Sequence, residues 1–112
     1  MRQRYWDTLP HLSASIAELV WNAESRMVTA NVMYENLPEN SDAWIGVVPS
    51  DTPHNEQDAD RVDVNYISLR DFESGAFPGI TVPNDISGSY DLRIYSSDYN
   101  GTELACVNVM IT

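Results

Sequence analysis

The stretch Ser89-Tyr90-Asp91-Leu92-Arg93-Ile94-Tyr95, then Asn100-Gly101, then Glu103-Leu104-Ala105-Cys106-Val107-Asn108-Val109-Met110-Ile111 decides the fold. Leu92 and Ile94 alternate with Asp91, Arg93 and Tyr95, while Ala105, Val107, Val109 and Ile111 run down one face of the final segment. Successive strand side chains point to opposite faces, so each alternation reads as a strand with one buried side. Asn-Gly between two such runs signals a hairpin, because both residues tolerate the positive φ of a tight antiparallel turn. The last third of the chain is therefore predicted to be a β-hairpin.

Working outward, Val28, Ala30, Val32 and Tyr34 share one face at period two, with Thr29 and Asn31 opposite, and Pro38 closes the run. Trp44-Ile45-Gly46-Val47-Val48 is a short apolar run of the kind found in central strands. Pro49 to Arg61 is polar and acidic and reads as a loop; Val62, Val64 and Tyr66 alternate with Asp63 and Asn65 as a half-buried strand. After a second loop, Asp71 to Pro78, Gly79-Ile80-Thr81-Val82 is a short strand stopped by Pro83. Ser13 to Trp21 fits helix or strand by period, and Asn22-Ala23-Glu24-Ser25, a hairpin turn, selects strand. Seven strands result, near 14–21, 26–35, 43–48, 62–69, 79–82, 89–96 and 103–111. That number in about 100 residues predicts an all-β protein, an immunoglobulin-like antiparallel β-sandwich. It occupies residues 12–112, after an irregular arm over 1–11 that carries Tyr5 and Trp6 as packing residues for a partner or second subunit.

Two segments resemble known families. Asp85-Ile86-Ser87-Gly88-Ser89-Tyr90-Asp91-Leu92 resembles the tyrosine corner of immunoglobulin-like domains, in which a Tyr enters the penultimate strand and its hydroxyl bonds to upstream backbone. Leu92 stands where antibody domains have cysteine, as a core for a reducing compartment requires. Asn36-Leu37-Pro38 and Ser41-Asp42-Ala43-Trp44-Ile45-Gly46-Val47-Val48 resemble the Asp-Trp-Ile-Gly strand of SKICH-type immunoglobulin-like domains. Val64-Asn65-Tyr66-Ile67 matches their aromatic strand after a loop, and the final Tyr-rich hairpin matches their end, so the resemblance spans about 26–111 in order. It departs at Ala43, where the family has its Asp; here Asp42 lies one place earlier. The resemblance implies a module for protein contacts and localisation, without catalysis.

Charge narrows the function further. The 112 residues hold 17 acidic and 6 basic side chains, a formal charge of −11, and every basic residue is arginine. Nucleic-acid binding needs a basic patch to displace counterions, and anionic lipid needs one as well, so neither partner is expected. No run approaches the ~18 apolar residues of a membrane span. The start lacks the apolar stretch of a secretory signal, which predicts a cytoplasmic protein or export by a non-classical route. Cys106 alone excludes an internal disulfide. The absence of lysine fits genomic base composition, high-salt adaptation or avoidance of lysine modification, and specifies no activity.

Few constellations carry chemistry. The carboxylates of Asp51, Glu56, Asp58 and Asp60 and the imidazole of His54 lie within ten residues, and Asp63 follows. The carboxylates could offer oxygens to a hard cation, but no EF-hand register or sharp-turn glycine is present, so a solvated acidic loop is expected. Ser97-Asp98-Tyr99-Asn100-Gly101-Thr102 resembles half a calcium loop, and reads more simply as a hairpin turn. Cys106 lies inside a strand with only His11 or His54 as a base, and no nucleophile elbow, phosphate loop or zinc-protease motif occurs. No enzyme activity, cofactor or metal is expected. Tyr95 falls opposite Leu92 and Ile94 and should be exposed unless something covers it; Tyr99 lies in the last turn. The sequence thus predicts a non-catalytic acidic module that binds a protein with a basic surface through Tyr95, Tyr99, Asp51, His54, Glu56, Asp58 and Asp60. The alternatives are a carbohydrate- or Ca²⁺-dependent small-ligand sandwich and a small acidic inhibitor of immunity type. The oligomeric state is left open.

Overall fold

Alternation and turn residues place seven strands: β1 (Ser13–Asn22), β2 (Met27–Glu35), β3 (Trp44–Pro49), β4 (Asn65–Ser68), β5 (Ile80–Thr81), β6 (Gly88–Tyr95) and β7 (Glu103–Ile111). The structure, a computed structural model, describes residues 11–112; apart from His11, the expected arm with Tyr5 and Trp6 lies outside the described residues. All pairings are antiparallel, in a three-stranded sheet ordered β1-β2-β5 and a four-stranded sheet ordered β4-β3-β6-β7. The expected all-β sandwich forms, and its strand order is compatible with an immunoglobulin-like arrangement. At the β1–β2 turn, Asn22 Oδ1 accepts the backbone N–H groups of Glu24 and Ser25, both at 3.0 Å. This local bond is why Asn favours turns.

The facing sheets bury Val28 and Val32 of β2, Ile80 of β5, Ile45 and Val47 of β3, Leu92 and Ile94 of β6, and Val109 and Ile111 of β7. Each such side chain contributes about 1.5–3 kcal/mol when fully buried, so this layer sustains the fold without a disulfide. Tyr90 packs against the core, but among the described residues its hydroxyl makes no hydrogen bond to upstream backbone. Arg26 closes that corner instead. Its guanidinium donates to the carbonyls of Pro83 (2.8 Å), Ile86 (2.6 Å) and Thr112 (2.9 Å) and lies 5.1 Å from the Trp21 ring centroid.

Two segments differ from expectation. The Pro49–Arg61 loop contains a helix, α1 (Glu56–Val62). Asn55 caps it: Asn55 Oδ1 accepts the Asp58 N–H at 2.8 Å and Asn55 Nδ2 donates to Asp58 Oδ2 at 2.8 Å. The helix consumes Val62, so β4 begins only at Asn65. Ile67, paired with Ile45, turns inward, while Tyr66, paired with Gly46, lies on the outer face of the four-stranded sheet. The alternation through Val62, Val64 and Tyr66 had one strand spanning what is a helix end and a shorter strand.

Candidate functional site

The outer face of β3 and β6 is apolar where α1 covers it. Trp44, Val48, Ala59 and Tyr95 form a second buried cluster, apart from the layer between the sheets. The Trp44 and Tyr95 rings lie 5.1 Å apart, and Tyr66 meets Trp44 edge-on at 6.1 Å. Gly46 makes room for the indole, since a Cβ there would stand 2.7 Å from the Trp44 ring. Arg93, wholly buried, fastens the covering segment to the sheet. Its guanidinium donates to Asp91 Oδ2 (2.9 and 3.0 Å), the Tyr95 hydroxyl (3.2 Å) and the carbonyls of Thr52 (2.8 Å) and Pro53 (3.1 Å).

Tyr95 is therefore not an exposed contact residue, as its parity suggested; it is fully buried beneath α1 and the segment before it. Burial pushes its hydroxyl up to about 12, against the pull of the Arg93 charge. The other expected site residues separate into distinct groups. His54 is exposed and its Nδ1 lies 2.8 Å from Glu103 Oε1. Asp58 is engaged in capping α1, Asp51 is exposed in the turn after β3, and Tyr99 is exposed at 79%.

Glu56 and Asp60 meet Asp98 of the β6–β7 turn: one carboxylate oxygen from each lies within 4.8 Å of the other two. The Asn100 N–H donates to Glu56 Oε1 at 2.9 Å and anchors this turn on α1. Gly101 shapes the turn, because a Cβ would stand 2.4 Å from the Ser97 carbonyl oxygen. Glu56 is buried at 3% exposure, and its Oε2 has no hydrogen-bond partner. The Trp44 indole Nε1, also unpartnered, faces the same carboxylate without completing a hydrogen bond. Burial raises the Glu56 pKa, the Asn100 bond opposes this, Asp60 and Asp98 raise it further, and the Trp44 indole N–H facing the carboxylate pulls it back a little. Asp98, though exposed, is raised by partial desolvation and then by Asp60 and Asp42; Asp63, half-buried, is raised to about 6 by desolvation and then by Asp60 and Asp98. Among the described residues the ion pairs are His54–Glu103, Arg93–Asp91 and Arg93–Glu103, and none of these clustered carboxylates takes part.

His54 and Glu103 also lie beside Cys106, on the outward face of β7. Desolvation, with the Asp91 and Glu103 carboxylates, pushes the thiol up to about 11, so it is not a thiolate at neutral pH. Next to the acidic cluster runs an open groove of about 250 Å³, lined by Asp42, Trp44, Tyr66, Arg70 and Asp98 among others. Tyr66 is 57% exposed there. The sequence reading missed Tyr66, Asp63 and Asp98 as site residues. The half calcium loop at Ser97–Thr102 is the signal for Asp98, and the place of Asp63 just after the acidic 51–60 run is the signal for it; the contact of Tyr66 with Trp44 across the sheet has none in the sequence.

No protein-family model matches the chain, and no curated protein matches it.

Proposed function

We propose that the protein is a non-catalytic binding module that engages a basic surface on another protein through the acidic end of its four-stranded sheet. The observation that carries this reading is the convergence of Glu56, Asp60, Asp63 and Asp98, joined to no cationic side chain among the described residues. Such a face attracts a cationic partner and raises its association rate. Tyr99, beside Asp98, supplies exposed aromatic area at the rim. The high pKa of the Cys106 thiol, set by desolvation and then by Asp91 and Glu103, favours binding over nucleophilic chemistry at that position. The Trp44-Ile45-Gly46 motif on a central strand, with the β4-β3-β6-β7 order, supports a SKICH-type immunoglobulin-like relationship. Among the described residues no helix is long and apolar enough to cross a membrane, and a lone cysteine suits the cytoplasm.

The test is affinity capture from source-cell lysate at low and high salt, followed by titration of the captured protein. A stoichiometric partner that releases at high salt, and that binds folded Tyr99→Ala and Asp60→Asn variants more weakly than wild type, supports the reading. Equal affinity for both variants refutes it. If the partner is an enzyme that loses activity at equal stoichiometry, the module is an inhibitor. The Tyr66 groove favours one second reading, a small-ligand sandwich in which a sugar ring stacks on the tyrosine. A Tm that rises with a glycan and not in Tyr66→Ala would identify it.

A further inference from the structure

We infer that Glu56, Asp60 and Asp98 form a calcium-binding centre between α1 and the β6–β7 turn. The three carboxylates come from segments about forty residues apart, yet the fold brings one oxygen of each within 4.8 Å of the others. Oxygens on opposite sides of a Ca²⁺ ion stand about 4.8 Å apart, at roughly 2.4 Å per bond; Mg²⁺, at roughly 2.1 Å, draws them closer and demands octahedral geometry. The donor set is oxygen alone, which selects a hard cation over zinc or copper.

The second observation is Glu56 itself. It is 3% exposed, its Oε1 is held by the Asn100 N–H at 2.9 Å, and its Oε2 is buried without a partner. A buried carboxylate oxygen is rarely left unsatisfied, because water no longer solvates it. The Trp44 N–H faces this carboxylate, but one neutral donor does not offset three anionic groups. A divalent ion satisfies the orphaned oxygen and the mutual repulsion together. Asp60 and Asp98 are exposed, so the ion enters from solvent, and water fills the rest of its shell. This inference does not rest on any macromolecular partner.

The experiment is calorimetric titration of the full chain with CaCl₂ at constant ionic strength near neutral pH, after removal of metal with a chelator. The expected result is one Ca²⁺ per chain with Kd between about 10⁻⁵ and 10⁻³ M, and at least roughly tenfold weaker binding of Mg²⁺. At a hundredfold excess over Kd the folded-to-unfolded ratio rises about a hundredfold, and Tm rises with it. Asp60→Asn and Asp98→Asn each weaken binding at least roughly tenfold, while Asp51→Asn, outside the cluster, leaves it unchanged. Should the cluster variants fail to fold, terbium provides a wild-type readout: emission sensitised by the neighbouring Trp44 indole appears and is quenched by added Ca²⁺. No heat and no Tm change with millimolar Ca²⁺ overturns the inference. So does equal binding of Mg²⁺, or an Asp51→Asn loss as large as that of Asp60→Asn. All of these are read on the purified chain, so this centre and the protein-binding reading stand or fall separately.

Discussion

Asp63→Asn is expected to stabilise the protein at neutral pH and to do nothing in acid. Asp63 closes the C-terminal end of α1, where its N–H bonds to the Ala59 carbonyl, and a negative charge there opposes the helix dipole. Burial, then repulsion from Asp60 and Asp98, raises its carboxyl from 3.8 to about 6. Between those two pH values the folded chain binds the proton more tightly than the unfolded chain. Stability therefore falls as pH rises through this window and the loss is complete above it. A rise of roughly two pH units corresponds to about 3 kcal/mol, an upper bound because Asp63 keeps some contact with solvent. Asparagine keeps the shape and removes the charge, so the gain at neutral pH is about 1–3 kcal/mol. Most substitutions destabilise, which makes a gain diagnostic. The assay is urea unfolding of wild type and variant near neutral pH and at about pH 3.8, with chelator present. The difference between the two ΔΔG values isolates this carboxyl from the other titrations. A variant equally stable relative to wild type at both pH values, or less stable at neutral pH, would refute the reasoning.

Other expectations follow from the same face. Arg93→Met leaves Asp91 buried without its cation and frees the 50–53 segment, so stability falls by about 3–5 kcal/mol in chemical unfolding. Arg93→Lys recovers only part of that, because an ammonium cannot span Asp91 and two carbonyls at once; full recovery would sink this account. Gly46→Ala places a Cβ 2.7 Å from the Trp44 ring, and about 1–3 kcal/mol of stability and the near-ultraviolet signal of the indole should be lost together. Cys106, raised from 9.0 to about 11, should react with iodoacetamide at neutral pH roughly tenfold more slowly than an unperturbed thiol, because a thiolate fraction about a hundredfold smaller is partly offset by the higher nucleophilicity of the more basic thiolate. A rate equal to that of free cysteine would show that the thiol is not held protonated.

Most of the seven strands were legible because each is a short alternating or apolar run bounded by Gly, Pro or Asn; at β1 the period fits helix or strand and the Asn22 turn decides, and at β4 the alternation runs on into a helix end. The covering layer was not legible, although two signals for it exist. Trp44-Ile45-Gly46-Val47-Val48 is apolar at every position, which means that both faces of β3 are buried. Asn55 followed three residues on by Asp58 is a capping pattern, and it opens a helix too short for periodicity to reveal. Tyr95 was assigned to solvent because parity says which face a residue occupies, not whether something lies on that face. The pairing of Glu56 and Asp60 with Asp98 depends on how α1 docks over the sheet. No local pattern encodes that docking; it follows from Ala59 packing against Trp44 and Tyr95 and from Arg93 holding the segment before it.

A calcium ion and a basic partner would draw on the same negative charge, and that makes them antagonists unless the ion also orders the contact surface. Each Ca²⁺ bound at Glu56, Asp60 and Asp98 removes two charges from the face that attracts a cationic side chain. By linkage, whatever factor the ion takes from partner affinity, the partner takes from calcium affinity. Against this, Asn100 and Asp98 flank Tyr99, and an ion held by Asp98 and Glu56 would clamp the turn that carries the tyrosine. The balance is read from the sign of the calcium effect on partner affinity. Weakening by calcium means that the face works through charge; strengthening means that it works through a fixed Tyr99. In the second case Tyr99→Ala should abolish the calcium effect while leaving calcium binding intact.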